Sequence, residues 1–396
     1  MVRARRATVR ATLRACAAIV ALVAWTARAH AADVLEEAAV FDPTIRFGDV
    51  GALKIQPLLQ TRWTAIEAGA PEAQSAEGFS IPRARLIVTT SLWDAVRFRL
   101  RVGTKSNGDV RFEQAYVEGN WKHLRARAGQ FSLHLNAGEE PIPQDLSSAD
   151  YSSYANTFAG GQTQGLQLAY DGPVRLIGVV CNGARTGFSE LLSPLVADVA
   201  LSGRVEVPIG ARPFEPIVEP SFRRGQRVTA RLGATGHFQT KGASASNPTS
   251  DVELASADVD VRGSGFTLIA SASYLRLTQE GATPHEQVGF MAFASLFAAR
   301  RVELWGQFDA VWPIGTITPM PADFASGQPG TTPLRTLTTG ANFFIVPDTN
   351  RLKLQVDLQT IFDPQSTSII PSDVSRGVLA TSGPQVAVRL QIVAAL

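Results

Sequence analysis

The feature that most constrains this chain is an alternation of apolar and polar side chains running from about Leu53 to the C-terminal residue. Within 351–362, Leu352, Leu354, Val356 and Leu358 fall on one phase, while Lys353, Gln355, Asp357 and Gln359 fall on the other. The last segment keeps apolar residues at 386, 388, 390, 392, 394 and 396 against Ala387, Arg389 and Gln391. Successive side chains of a strand point to opposite faces, so this pattern reads as a succession of half-buried strands. Helical periodicity is scarce; "ADVLEEAAV" at 32–40 is the one plausible helix, read as a short periplasmic piece. After the N-terminal leader no apolar run approaches the ~18 residues that mark a membrane-spanning helix.

The pattern predicts strands at 53–64, 79–92, 96–103, 111–119, 123–131, 163–170, 174–181 and 195–207. It continues at 226–239, 251–262, 265–278, 286–298, 301–312, 334–346, 351–362 and 384–396, sixteen in all. Tight breaks such as Asn120–Lys122, Asp171–Pro173 and Gly263–Ser264 alternate with long connections such as 132–162, 182–194 and 313–333. Short turns at one end and long loops at the other are the habit of outer-membrane barrels. The segment 208–225 carries four prolines, which argue against a ladder strand. Reading it as a long periplasmic turn keeps the count even and both termini periplasmic. The expected fold is all-β: a transmembrane antiparallel β-barrel of about 16 strands occupying 53–396, after a short periplasmic segment at 32–52. A soluble β-sandwich or β-solenoid also alternates and stays open as an alternative. Trp63, Trp93, Trp121, Trp305 and Trp312 fall near expected strand ends, where aromatic girdles belong.

The N-terminus reads as a secretory signal peptide over 1–31. Arg3, Arg5, Arg6, Arg10 and Arg14 precede the apolar "ACAAIVALVAWTA", and "ARAHAAD" offers small residues for cleavage after Ala29 or Ala31. An Arg-rich transit peptide is the alternative reading. Removing 1–31 takes six arginines and no acid, leaving 31 basic against 35 acidic residues, a formal charge of −4. The mature chain therefore makes no global case for nucleic acid. One cysteine remains, Cys181, which provides neither a disulfide framework nor a cysteine metal site. His123, His134, His237 and His285 lack metal-ligand spacing, and no nucleophile elbow, zinc-protease helix motif or phosphate loop occurs. The sequence thus offers no catalytic residues, no cofactor and no metal.

The charged residues concentrate early. In "IPRARLIVTTSLWDAVRFRLRVG", residues 81–103, Arg83 and Arg85 alternate with Ala84 and Leu86. Arg97, Arg99 and Arg101 alternate with Phe98, Leu100 and Val102. Arg125 and Arg127 follow the same phase on a later strand. An Arg on the lipid face near mid-membrane costs about 2–4 kcal/mol, so these seven are expected to face water inside a barrel. Guanidinium groups bind oxyanions bidentately, and rings of Arg favour anions in a pore. The plainer reading is a wet lumen face whose arginines sit beside acids such as Glu113 and Glu118. The excess of arginine over lysine, 32 to 5, also fits high-GC coding.

The order of "FSIPRARLIVTTSLWDAVRFRLRVG", "VRFEQAYVEGNWKHLRARAGQF", a long loop and "TQGLQLAYDG" resembles the phosphate-selective porin O and P family. "LTTGANFFIVPDTNRLKLQVD" and the closing "VRLQIV" resemble its late hairpin and last strand. The likeness covers roughly 53–181 and 334–393. It implies a sixteen-stranded outer-membrane porin of a Gram-negative bacterium, a homotrimer in outer-membrane lipid that takes up phosphate or related anions. It also implies an Arg ladder, carried over to Arg83, Arg85, Arg97, Arg99, Arg101, Arg125 and Arg127, with Arg111 a weaker member. The loop at 132–162 becomes the inserted constriction loop. That loop departs from the family pattern: it holds Glu139, Glu140, Asp145 and Asp150 and no Lys or Arg. An acidic constriction weakens or reverses anion preference, so a general or cation-leaning pore is the second reading. A secreted β-rich surface or binding protein without a pore is the third.

Overall fold

The computed structural model describes residues 44–68, 75–93, 95–104, 108–187, 197–210, 217–222, 227–240, 251–278, 283–314, 333–363, 378–379 and 383–395. The leader at 1–31, the helix expected at 32–40 and the terminal Leu396 lie outside these residues.

The alternating segments form strands β1 (Thr44–Phe47), β2 (Gly51–Ala68), β3 (Ala76–Leu92), β4 (Val96–Thr104), β5 (Val110–Trp121) and β6 (Leu124–Ser132). They are followed by β7 (Gln162–Asp171), β8 (Arg175–Cys181), β9 (Ala200–Ile209), β10 (Thr229–Gln239), β11 (Asp251–Gly263) and β12 (Phe266–Thr278). The series ends with β13 (His285–Ala299), β14 (Val302–Ile314), β15 (Leu334–Phe344), β16 (Leu352–Ile361) and β17 (Gln385–Ala395). Each strand from β2 onward pairs antiparallel with the next, and β17 returns to β2. The result is a closed sixteen-stranded antiparallel barrel, as the alternation predicts.

The seam where the ring closes explains a proline. On one edge β2 pairs with β3 over Gly51–Ile66. On the other, β17 covers Leu58–Ala68 and the short β1 covers Gly51–Lys54. The two ends of the described chain thus share one edge of β2. Pro57, which has no N–H to give a ladder, falls in the gap between them. Pro82 sits at a second irregularity, a bulge where Ile81 and Pro82 face Thr61 alone; Gln60 pairs with Arg83 and Arg62 with Ser80.

The connections divide by end. Those at 93–95, 122–123, 172–174, 264–265 and 300–301 have two or three residues and share one rim with 345–351, whereas every connection at the other rim has five or more. The segment expected as a plain long turn at 208–225 behaves differently. β9 runs on through Pro208 and Ile209, and residues 217–222 fold inward at the short-turn rim. Ile217, Glu219 and Ser221 are buried, Ser221 Oγ donates to the Gly263 carbonyl at 2.9 Å, and Phe222 packs on Phe297 and Phe344. Apolar Ile217 and Phe222 need cover that an exposed turn cannot supply.

One phase of the barrel strands faces out and is mainly apolar: Leu166, Leu168, Leu176 and Val180 are each more than half exposed. The opposite phase faces a lumen with buried polar groups, including Arg62, Glu118, Asp309, Lys353 and Arg389. Trp93 and Trp121 stand exposed at the short-turn rim and Trp312 near the other. Trp305 departs from the girdle expectation. It shares its phase with Glu303, Gln307 and Asp309, so it faces the lumen and stacks on Phe293.

Candidate functional site: an arginine-lined cavity

Residues directly opposite in an antiparallel pair share a face. Arg97, Arg99 and Arg101 stand opposite Ser91, Thr89 and Ile87 on β3, and opposite Glu118, Tyr116 and Gln114 on β5. Arg127 and Arg125 on β6 stand opposite Glu118 and Asn120. The seven arginines singled out in the sequence therefore lie on β3, β4 and β6 and share their lumen face.

Their partners form a pattern of two cations around one anion. Glu118, fully buried, lies 3.3 Å from Arg97 and 2.6 Å from Arg127. Glu113 lies 2.8 Å from both Arg85 and Arg101. It reaches that position through a bulge: Arg101 pairs with Gln114 and Val102 with Phe112, leaving Glu113 as the extra residue. Asp150, from the long loop, bridges Arg62 at 3.3 Å and Arg83. Asp171 accepts from Arg175 at 2.5 Å and lies 3.5 Å from Arg125. Each group keeps a net positive charge while leaving no buried carboxylate unpaired. Arg99 belongs to none of them. Among the described residues no carboxylate lies within ion-pair distance of it, and its Nε is buried with no hydrogen-bond partner.

The long loop packs against the other side of the lumen. A single 3-10 turn, Ala137–Glu139, is capped by Asn136 Oδ1 accepting from the Glu139 N–H at 3.1 Å. Helix α1 (Ser153–Phe158) is capped by Ser152 Oγ accepting from the Ala155 N–H at 2.8 Å. Tyr154 Oη hydrogen-bonds Ser271 Oγ on β12 at 2.7 Å, and Ser147 Oγ donates to Glu303 on β14 at 3.0 Å. Gln355 on β16 donates to the Leu146 and Ser147 carbonyls. Gly289 on β13 makes room for the Phe158 ring, since a Cβ there would lie 2.1 Å from Phe158 Cε2. The inward segment 217–222 supports the loop from the short-turn side: Glu219 accepts from the Ser147 N–H at 2.5 Å.

The four acids expected to line a constriction are mostly spent on holding the loop. Glu140 pairs with Arg231 at 2.9 Å, and Asp150 with Arg62 and Arg83. Asp145 accepts from Asn350 at 3.1 Å. Glu139 accepts from the N–H groups of Leu135, Gly160 and Gly161, tying the two ends of the loop together. Burial opposes the Glu140 charge, but Arg231 and Arg204 outweigh it and hold the carboxyl at about 2. Burial pushes Glu139 the other way, up to about 7, against its backbone N–H donors and Arg185. A carboxyl raised above its ordinary 4.5 contributes stability that is full below that value and lost as pH rises through about 7. The loop is therefore expected to loosen between pH 5 and about 8, seen as rising open-channel current noise, whereas Glu139→Gln flattens that profile.

What remains between loop and wall is a cavity of about 1440 Å³ bounded by β3 to β10. It reaches from Asp109 and Arg111 at the long-loop end to Arg125 and Arg175 at the first residues of β6 and β8. Ten arginines line it: Arg83, Arg85, Arg99, Arg101, Arg111, Arg125, Arg127, Arg175, Arg185 and Arg204. They face six carboxylates: Asp109, Glu113, Glu139, Glu140, Asp150 and Glu206. Arg97 lies outside this lining, half-exposed beside Glu118, and so does Asp145. Arg175, Arg185 and Arg204 were missed in the sequence because they stand singly, without a repeated Arg phase. Arg204 carries a signal in retrospect: it shares its phase with Glu206 between outward Val205 and Val207.

No family model and no curated protein matches the chain. Among solved structures it is similar in fold to an anion-selective porin from Comamonas acidovorans, at 13% identity and TM-score 0.58, covering 87% of this chain and 100% of that one. It is likewise similar to the outer membrane channel DcaP of Acinetobacter baumannii (13% identity, TM-score 0.54, 88% and 99% covered). A trimer form of OmpT, an outer membrane protein of Vibrio cholerae, matches at 10% identity and TM-score 0.54, with 88% and 100% covered. The fold of this chain is that of the outer-membrane porins.

Proposed function

We propose that the chain is an outer-membrane porin, exported through a cleaved leader at 1–31, whose water-filled channel passes small anions in preference to cations, inorganic phosphate among them. The observation that carries this reading is the charge of the cavity wall, ten arginines against six carboxylates. Clusters of two guanidiniums around one carboxylate raise the local anion concentration while leaving no single site tight enough to trap the solute. The acids of the 132–162 loop do not favour a cation-leaning pore, because Glu140 and Asp150 are already paired with arginines. The apolar outward phase supports a lipid setting: a water-facing protein seldom shows so continuous an apolar belt. A homotrimer belongs to the same proposal, by likeness to porins whose trimer form is known.

Purified protein in planar bilayers under a potassium chloride gradient tests the proposal. A zero-current potential of the sign set by chloride is expected; the sign set by potassium overturns it. The lipid setting has its own test. Leu166, 63% exposed near the middle of β7, is expected to tolerate Val or Phe but not Arg. Leu166→Arg should cost about 2–4 kcal/mol of barrel stability in lipid, measured by equilibrium unfolding from vesicles. A soluble protein would accept that exposed arginine at almost no cost.

A further inference from the structure

Among the described residues, the arginine cavity takes no lining from β11 to β17. Those strands close the other half of the ring, and their lumen face has the opposite charge balance. Asp258, Asp260, Glu303, Asp309 and Asp357 are buried there against Arg262, Lys353 and Arg389. Three of these acids are met by arginines: Asp258 by Arg204 at 2.8 Å, Asp260 by Arg262 at 2.8 Å and Asp357 by Arg389 at 2.6 Å. Glu303 and Asp309 meet neutral donors instead. Glu303 accepts from Asn342 Nδ2 at 2.7 Å and from the Ser147 hydroxyl at 3.0 Å. Asp309 accepts from Gln307 Nε2 at 3.0 Å, Thr336 Oγ1 at 3.1 Å and the Ser153 N–H at 3.3 Å. The Lys353 ammonium donates to the Leu146 carbonyl at 2.5 Å. Ser147 and Ser153 belong to the long loop, so both carboxylates lie beneath it.

Two inward segments cover this half of the lumen. Tyr154 and Phe158 of the loop share one buried apolar cluster with Ile269, Met291 and Phe293. From the short-turn rim, Ile217 joins the same cluster, and the Phe222 ring lies 5.3 Å from Phe297 and 5.1 Å from Phe344. The segments are also tied to each other. The Glu219 N–H donates to the Asp145 carbonyl at 3.0 Å, and the Ile217 N–H to Glu140 Oε1 at 3.1 Å. The Ser147 N–H donates to Glu219 Oε2 at 2.5 Å, so Ser147 spans from Glu219 to Glu303.

We propose that the segment 217–222 determines ion selectivity: it latches the loop over Glu303 and Asp309, whose charges otherwise face the permeating ions and offset the arginine wall. The proposal rests on the anion-channel reading and says how that preference is kept. A covered half carries no ions, so its carboxylates act on the arginine cavity only from behind the loop. Once water enters, ions pass beside them, and acidic pore walls favour cations. Glu303 is the first to be uncovered, because it is the second residue of β14 and lies near the short-turn rim that the segment closes.

Single-channel conductance and reversal potential under a potassium chloride gradient test this, with heat-modifiable gel mobility confirming each barrel. Ile217→Ser with Phe222→Ser removes the apolar hold of the segment. That channel is expected to conduct more and to lose at least about threefold in chloride-over-potassium permeability. Glu303→Gln with Asp309→Asn in the latched channel keeps the acceptor oxygens and should leave the ratio within about 1.5-fold of its starting value. All four substitutions together should keep the larger conductance and recover the ratio. Where the Ile217 and Phe222 pair does not insert, Phe222→Ala replaces it. Unchanged conductance in the latch variant overturns the proposal, as does a larger conductance at an unchanged ratio. So does a lost ratio that Glu303→Gln and Asp309→Asn fail to recover, or a large shift from those two in the latched channel. Each of these leaves the anion reading standing, whereas potassium selectivity in the unsubstituted channel overturns that reading itself.

Discussion

A channel carrying Arg99→Glu is expected to lose roughly a factor of ten in chloride-over-potassium permeability while folding and conducting as a barrel. The size follows from position. A unit charge about 10 Å from a passing ion in water is worth ~0.4 kcal/mol, so reversing it shifts chloride and potassium by ~0.8 kcal/mol each in opposite senses, ~1.7 kcal/mol in their ratio and a little over tenfold. Arg99 is the right residue because it has no ion-pair partner among the described residues, so its field is not cancelled locally. Reversing Arg85 or Arg101 also disturbs Glu113, which they share, and confounds selectivity with stability. Reversal potentials at low salt read the effect best, since the Debye length is ~10 Å at 0.1 M and shorter above it. A change below about twofold would place the selective charge elsewhere on the wall.

Asp150→Ala is expected to release the loop. The carboxylate bridges Arg62 and Arg83, and its loss strands two buried guanidiniums, a class of change that costs about 3–5 kcal/mol. The loop's other ties persist, including Tyr154 to Ser271 and Gln355 to the Leu146 carbonyl, so the barrel itself should remain closed. The expected signature is a larger and noisier single-channel conductance with a lower unfolding midpoint. Asp150→Asn keeps the shape but removes the charge, and should fall between wild type and Ala. Unchanged conductance in both variants would mean that the loop is held by its neutral hydrogen bonds alone.

The two experiments separate quantities that the sequence mixes. From residues 81–127 alone, the arginines and the acids at 113 and 118 are visible, but not which charges cancel. Glu113 looks like an ordinary strand residue, and only the bulge opposite Arg101 turns it between two guanidiniums. The acidic loop invites the idea of a negative constriction, whereas Glu140 and Asp150 find their counter-charges on β10, β2 and β3. Those strands are separated from the loop by anywhere from a few dozen to nearly a hundred residues, so no local pattern announces the pairs. Arg62 and Arg231 were missed for the same reason. The segment 217–222 shows the limit in another way, since prolines correctly exclude a strand but do not say that Ile217 and Phe222 turn inward.

The closed barrel was readable because strand geometry is local. A period of two assigns each side chain to one of two faces, whatever its distant neighbours are. A chain this apolar on one phase and charged on the other must close to satisfy its edges in a lipid setting. Length and turn chemistry then set the count of sixteen and the short and long rims. The cavity was not readable, because its shape and charge are sums over side chains brought together from β3 to β10 and the inserted loop. Electrostatic pairing acts through space over a few ångströms, and that separation is a property of the closed barrel rather than of the order of residues along the chain.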